Sequence, residues 1–247
     1  MRKLKDSRRA EIVDAALLVA AEQGIKAVSM RAVAARLGLT PMALYGYFRN
    51  KDELLDAVIG RMLAEISRPA TGLGWRETIL HLAAEVRSVA RRYPTVVPLL
   101  FTRPAVSPSA IMVIDLLFDA LLRAGVEPAR VPRMERMIST FIIGYAISEV
   151  GGRFSEGSLD TRSRRAQLHP DLLPAHQLLA EHLDAPVDWD AEYQADLDGF
   201  LDIVAALAAR DRREPIAEPR PSRPPGRPDA ERLSRSSGAG SRPDPVR

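Results

Sequence analysis

The sequence predicts an all-α protein, and three observations carry that expectation. Apolar residues recur at helical spacing in nearly every segment before residue 210, glycines and Ser/Thr/Asn caps punctuate those segments, and no stretch sustains strand-like alternation. From Ser7 to Gln23, Ile12, Ala15, Ala16, Val19 and Ala20 form one stripe of a helix that Gly24 ends. Ser29 is placed to N-cap a second helix with Met30, Val33, Ala34 and Leu37 inward, closed by Gly38. Thr40-Pro41 opens a third, with Thr at the N-cap and Pro at the first helical position, where its missing N–H costs nothing. Leu44 and Phe48 are its inward residues. Asn50 at an N-cap and Glu53 three residues on begin a fourth helix whose apolar face runs from Leu54 to Ile66.

Beyond a break at 69–74 the elements are longer. Helices are expected over Trp75–Tyr93, Ser109–Ala124, about 128–152 and Trp189–Arg210, with one more near Ala175–Leu183. Pro94, Pro98, Pro104 and Pro108 make the stretch between the first two irregular or short-helical. Residues 213–247 carry eight of the nineteen prolines and no apolar cluster, so a disordered tail is expected there. The domain organisation read from this is a helix-turn-helix unit at 7–52, a helical body at 53–212, and the tail at 213–247.

Charge is distributed unevenly. The formal net charge is +3, yet residues 1–51 hold ten Lys/Arg against four acids, and the tail eight Arg against five. That leaves a basic head on an acidic body, the distribution expected of a protein that meets a polyanion at one end. The chain has no cysteine, which removes disulfides, thiolate catalysis and Cys-based zinc sites. No eighteen-residue apolar run and no secretory leader is evident, so a cytoplasmic, membrane-free location is expected.

Two short helices around Gly38-Leu39 form a helix-turn-helix, in which a stubby second helix offers its outer face to the DNA major groove. With Leu44 and Phe48 inward, the outward set is Thr40, Pro41, Met42, Ala43, Tyr45, Gly46 and Tyr47. Small Ala43 and Gly46 permit close approach, and Met42 or Ala43 suits a thymine methyl. Tyr45 and Tyr47 suit phosphate oxygens, as does Lys51 at the next helix start. Ser29 caps the second helix, and Arg31 beside it is the long cation placed for a bidentate guanine contact. By spacing alone, the same segment also reads as an ordinary helical hairpin with exposed tyrosines.

The stretch from Gly24 to Leu55, above all LGLTPMALYGYFRNKDELL, resembles the signature of the tetracycline-repressor (TetR) family of transcriptional regulators. The resemblance covers about residues 7–66. It implies DNA contacts from Arg31, from the outward residues of the Pro41–Tyr47 helix and from Lys51. It also implies a homodimer on double-stranded operator DNA, with a helical ligand-binding and dimerisation domain following the head. Further on, Thr102-Arg103-Pro104, the Gly125 turn and the segment from Phe141 to Glu149 look like the C-terminal domain of the tetracycline-binding branch. Leu99 stands where that branch has a magnesium-binding His, and Leu82 and Val86 align with its polar drug contacts. No metal or cofactor is therefore expected. The small-molecule effector is expected to be mainly hydrophobic, aromatic or weakly anionic since Arg103 cannot lose its charge, walled by Leu82, Val86, Leu99, Phe118, Phe141 and Tyr145, with His81, Thr102 and Arg103 as the polar groups.

The reading is thus a ligand-responsive regulator, a repressor on a palindromic operator. An activator of the same fold is the alternative within regulation. The alternative from another class is a helical binding module or enzyme with an accessory helix-turn-helix. Enzyme motifs are missing: no Gly-rich phosphate loop, Ser nucleophile elbow or HExxH occurs. His176 and His182 lie six residues apart and so share no helix face for a metal.

Overall fold

The computed structural model describes residues 2–103, 106–154, 163 and 165–213; the expected tail lies outside them from residue 214 on. Every regular element among the described residues is helical. In chain order these are α1 (Arg2–Gln23), α2 (Met30–Arg36), α3 (Pro41–Tyr45), α4 (Lys51–Leu63), α5 (Trp75–Arg92) and α6 (Leu99–Thr102). Then come α7 (Pro108–Ala124), α8 (Val131–Val150), α9 (Pro174–Leu178), α10 (Ala180–Leu183) and α11 (Trp189–Arg213). Short 3₁₀ turns at Ile25–Ala27, Pro128–Arg130 and Pro170–Leu172 complete the set.

The expected punctuation does its work. Ser29, Thr40, Asn50 and Ser107 each accept a backbone N–H three residues on, so α2, α3, α4 and α7 all open on a side-chain cap. Gly125, at φ 90°, supplies the left-handed residue that ends α7. Several expectations shift in detail: α1 begins at Arg2 rather than Ser7, and α4 ends at Leu63 rather than Ile66. The segment at 175–183 is split into α9 and α10, and the helix expected from Pro128 begins at Val131, because Pro128–Arg130 winds as a 3₁₀ turn.

Two apolar clusters hold the described fold. The first gathers α1–α4 around fully buried Ile12, Leu44, Phe48 and Leu54 and extends to Val89, Val96, Val97, Ala110 and Ala146. The second gathers α5, α7, α8 and α11 around Ile79, Leu82, Leu121, Ile138, Leu197 and Leu201. Head and body therefore share a continuous core through α4, which packs on α1 at one side and on α5 and α7 at the other. Polar ties reinforce that seam. Arg61 on α4 pairs with Asp14 on α1 at 2.8 Å, and the Thr95 hydroxyl donates to the Ala20 carbonyl at 2.7 Å.

Candidate nucleic-acid interface and internal cavity

The head presents a face free of its own core. Leu44 and Phe48 are buried under α3, whereas Thr40, Pro41, Met42, Ala43, Tyr45 and Gly46 are exposed, Met42 by 78%. Tyr47 is half-buried against the first core cluster, so less of its ring is available than of Tyr45. Arg31 is exposed at the start of α2 and Lys51 at the start of α4, while Ser29 is half-buried and its oxygen caps the Ala32 N–H.

Electrostatics sort the head's cations into two groups. Arg36 makes a two-pronged pair with Glu22, at 2.6 and 2.7 Å, that locks α2 to α1 and lowers the Glu22 carboxyl pKa, chiefly through that hydrogen bond. Arg49 and Arg9 both reach Glu53, and the Arg9 guanidinium lies 4.3 Å over the Phe48 ring. Glu53 is held below its ordinary range first by the Arg49 backbone N–H, which donates to it. Lys26, Arg31 and Lys51 make no ion pair among the described residues. The last two belong to the set expected to meet DNA, and both are exposed charges not already spent in ion pairs among the described residues.

Below the head lies a cavity of about 170 Å³ between α4, α5, α7 and α8, with Leu100 and Arg103 at one side. Its wall takes Ile59 and Leu63 from α4, Leu82 and Val86 from α5, Val113, Ile114 and Leu117 from α7, and Glu135, Ser139, Ile142 and Ile143 from α8. Of the expected ligand residues, the structure brings Leu82, Val86 and Arg103 together here. The others lie elsewhere, and helical phase is the main reason. His81, one residue from Leu82, turns out to hydrogen-bond Ser67. Leu99 and Leu100 both pack against the first core, but of the two only Leu100 also lines the cavity, and exposed Thr102 donates to the Leu99 carbonyl. Phe118 sits one turn beyond Ile114 against the second core.

Phe141 and Tyr145 fall on a different face of α8 from Ser139 and Ile142. They join an aromatic cluster in which Tyr145 meets Tyr193 at 4.5 Å and Phe141 stacks on Phe200 at 5.7 Å. Arg87 covers the Tyr193 ring and grips Glu149 with two bonds of 2.7 and 2.8 Å, so this cluster is a clasp between α5, α8 and α11. Burial pushes the Tyr193 phenol up to about 12. Ile59, Leu63, Ile114, Glu135 and Ser139 were not expected. The one sequence signal for Glu135 was an acid in the inward phase of α8, between Met134 and Ile138.

Arg103 has two roles in this geometry. It lines the cavity, and its guanidinium donates to Asp56 at 2.7 Å, to the Asp52 carboxylate at 3.0 Å and to the Asp52 carbonyl at 2.9 Å. These bonds, led by the one to Asp56, raise the Arg103 pKa further above its ordinary value. The cavity is thereby tied to the first turns of α4, the helix that follows the reading head. Among the described residues, no group of three or more His, Asp or Glu side chains is placed to hold a metal. No described helix is long and apolar enough to cross a membrane.

The family model for bacterial regulatory proteins of the tetR family matches residues 12–58, and the tetracyclin repressor-like C-terminal domain matches residues 68–198. The chain belongs to the TetR family of transcriptional regulators. An HTH-type transcriptional regulator of Saccharopolyspora erythraea is 30% identical over 201 residues, covering 81% of this chain and 84% of that protein. The HTH-type transcriptional repressor DrrR1 of Streptomyces coeruleorubidus is 30% identical over 215 residues, covering 82% and 79%. Among solved structures, the Streptomyces coelicolor TetR family protein ActR in complex with (S)-DNPA superposes with a TM-score of 0.70. At 23% identity over 81% of this chain and 98% of that one, it speaks to the fold. In this TetR-family regulator, then, the helix-turn-helix is the DNA-reading element, and the cavity wall comes mostly from the matched C-terminal domain, with Ile59 and Leu63 added from α4.

Proposed function

We propose that this regulator is a repressor that binds a palindromic operator as a homodimer and is released when a mainly hydrophobic small molecule enters the cavity. The observation that carries the proposal is that α4 is both cavity wall, through Ile59 and Leu63, and the partner of Arg103 through Asp52 and Asp56. A guest there touches the helix that holds the head, so the binding energies of guest and DNA are coupled and each weakens the other. Contacts to bases come from Arg31 and the α3 face, and contacts to phosphates from Tyr45, Tyr47 and Lys51.

A second copy is supported by an uncovered stripe on α11, where Ala195, Gly199, Ile203 and Ala206 are exposed at helical spacing and a Cβ at Gly199 would meet nothing. Two heads on one two-fold axis read half-sites about 34–36 Å apart, or a multiple of that. Regulation without turnover fits a cavity wall that is apolar apart from Arg103, Glu135 and Ser139. Selection of bound duplexes from a random pool tests the reading. It should return a two-fold symmetric sequence, and an asymmetric site bound by one copy would overturn it.

A further inference from the structure

We infer that the molecule this cavity takes is a lipophilic amine, an aromatic or alicyclic body carrying a protonated nitrogen, anchored by Glu135. The inference rests on the proposed effector role of the cavity and names the chemistry of the guest. Glu135 is 8% exposed and lines the cavity from the second turn of α8. Its one hydrogen-bond donor among the described contacts is the Ser139 hydroxyl, at 2.5 Å. No cation pairs with it among the described residues, because Arg133 and Arg136 beside it in sequence are exposed on the outer face of α8. A carboxylate taken out of water with one neutral donor and no cation is costly, so a site that keeps one is completed by a guest that brings the opposite charge.

The other charge on the wall is already balanced. Arg103 is spent on Asp52 and Asp56 and offers an anionic guest little uncompensated charge. The net character the cavity presents to a guest is therefore one acid in an apolar shell formed by Leu82, Val86, Ile114, Leu117 and Ile142. Size agrees with a compact body. A cavity of about 150 Å³ lined by aliphatic side chains admits benzene, and this one, at about 170 Å³, has room for a ring with a short arm.

Three probes that share one ring separate the possibilities: benzylamine, benzyl alcohol and benzoate, titrated calorimetrically into the full chain at pH 7. Benzylammonium should bind about ten-fold or more tighter than benzyl alcohol, the gain of a hydrogen bond to a charged group. Benzoate should bind most weakly. In Glu135→Gln the amine should lose that advantage while benzyl alcohol stays within about two-fold. Val113→Trp, which fills the space with an indole, should abolish binding of both and so locate them in the cavity. If benzyl alcohol binds and the amine is no better, or if benzoate ranks first, the anchoring role of Glu135 is overturned and the cavity reading stands. If no probe binds the parent chain, the cavity reading itself fails and the amine assignment with it. The ranking on the parent chain decides the matter even if Glu135→Gln does not fold.

Discussion

Gly60 lies on α4, the helix that follows the reading head, close against the start of α7, and Gly60→Ala tests whether that contact sets the position of the head. A Cβ built at Gly60 on α4 would lie 2.7 Å from the Ser107 Cβ and 3.1 Å from its Oγ. Ordinary carbon–carbon contact is about 3.5–4.0 Å, so α4 and the start of α7 would have to part by roughly 1 Å. Ser107 cannot yield freely, since its Oγ accepts the Ala110 N–H and caps α7. Overpacking of this kind costs about 1–3 kcal/mol, and replacing a helical glycine by alanine recovers about 0.8–1.0 kcal/mol. The single variant should therefore be less stable by up to about 2 kcal/mol. Its operator affinity should change as well, because α4 moves with the head. Ser107→Gly alone costs only a few tenths of a kcal/mol as a cap change. Combined with Gly60→Ala it removes the clash, so the pair should return to parental stability or slightly above it. Urea midpoints for the four chains give the coupling energy directly, and operator anisotropy follows the head. If Gly60→Ala alone stabilises the protein by about 1 kcal/mol and leaves operator affinity unchanged, the close contact does not govern the head, and the reasoning is wrong.

Three further outcomes are expected. Arg31→Ala should cost about 1–3 kcal/mol on the selected operator and little on scrambled duplex, whereas Lys51→Ala should weaken both alike and lower the salt slope by about one unit. Affinity measured against salt on both duplexes checks this, and equal losses for the two variants on both would remove Arg31 from the role of base reader. Ile203, 54% exposed on α11, should become a monomer-forming site as Ile203→Asp with little loss of helix signal, while Leu201→Asp should unfold the protomer because Leu201 is fully buried in it. Sedimentation and circular dichroism separate the two, and an intact Ile203→Asp dimer would move the interface elsewhere. Magnesium–tetracycline should not release the operator at micromolar levels, since Leu99, which by resemblance stands where the tetracycline-binding branch has its metal-binding His, offers no metal ligand and packs against the first core. Release that a chelator abolishes would contradict that placement.

Helix boundaries, caps and the reading head were legible in the sequence because they are set locally. A cap needs an oxygen three residues from an N–H, and Ser29, Thr40 and Asn50 each supply one. The inward phase of α3 needs only Leu44 and Phe48 four residues apart. The cavity was legible only in part. Its wall depends on the rotation of α5, α7 and α8 about their own axes, and a shift of one residue turns a side chain by about 100°. That shift separates Leu82 from His81, Leu100 from Leu99 and Ile142 from Phe141, and it sends Phe141 and Tyr145 to the clasp with α11. Nor could sequence say which cations remain free. Arg36 and Arg103 look as available as Arg31 until the fold brings Glu22, Asp52 and Asp56 to them across 14 to 51 residues of chain. The sequence by itself determined the all-α fold, the capped helix-turn-helix and its family. Only the tertiary structure decided that α4 is the shared wall and that Glu135 lines the cavity with no ion-pair partner among the described residues, because pairing and packing at long range depend on where helices meet.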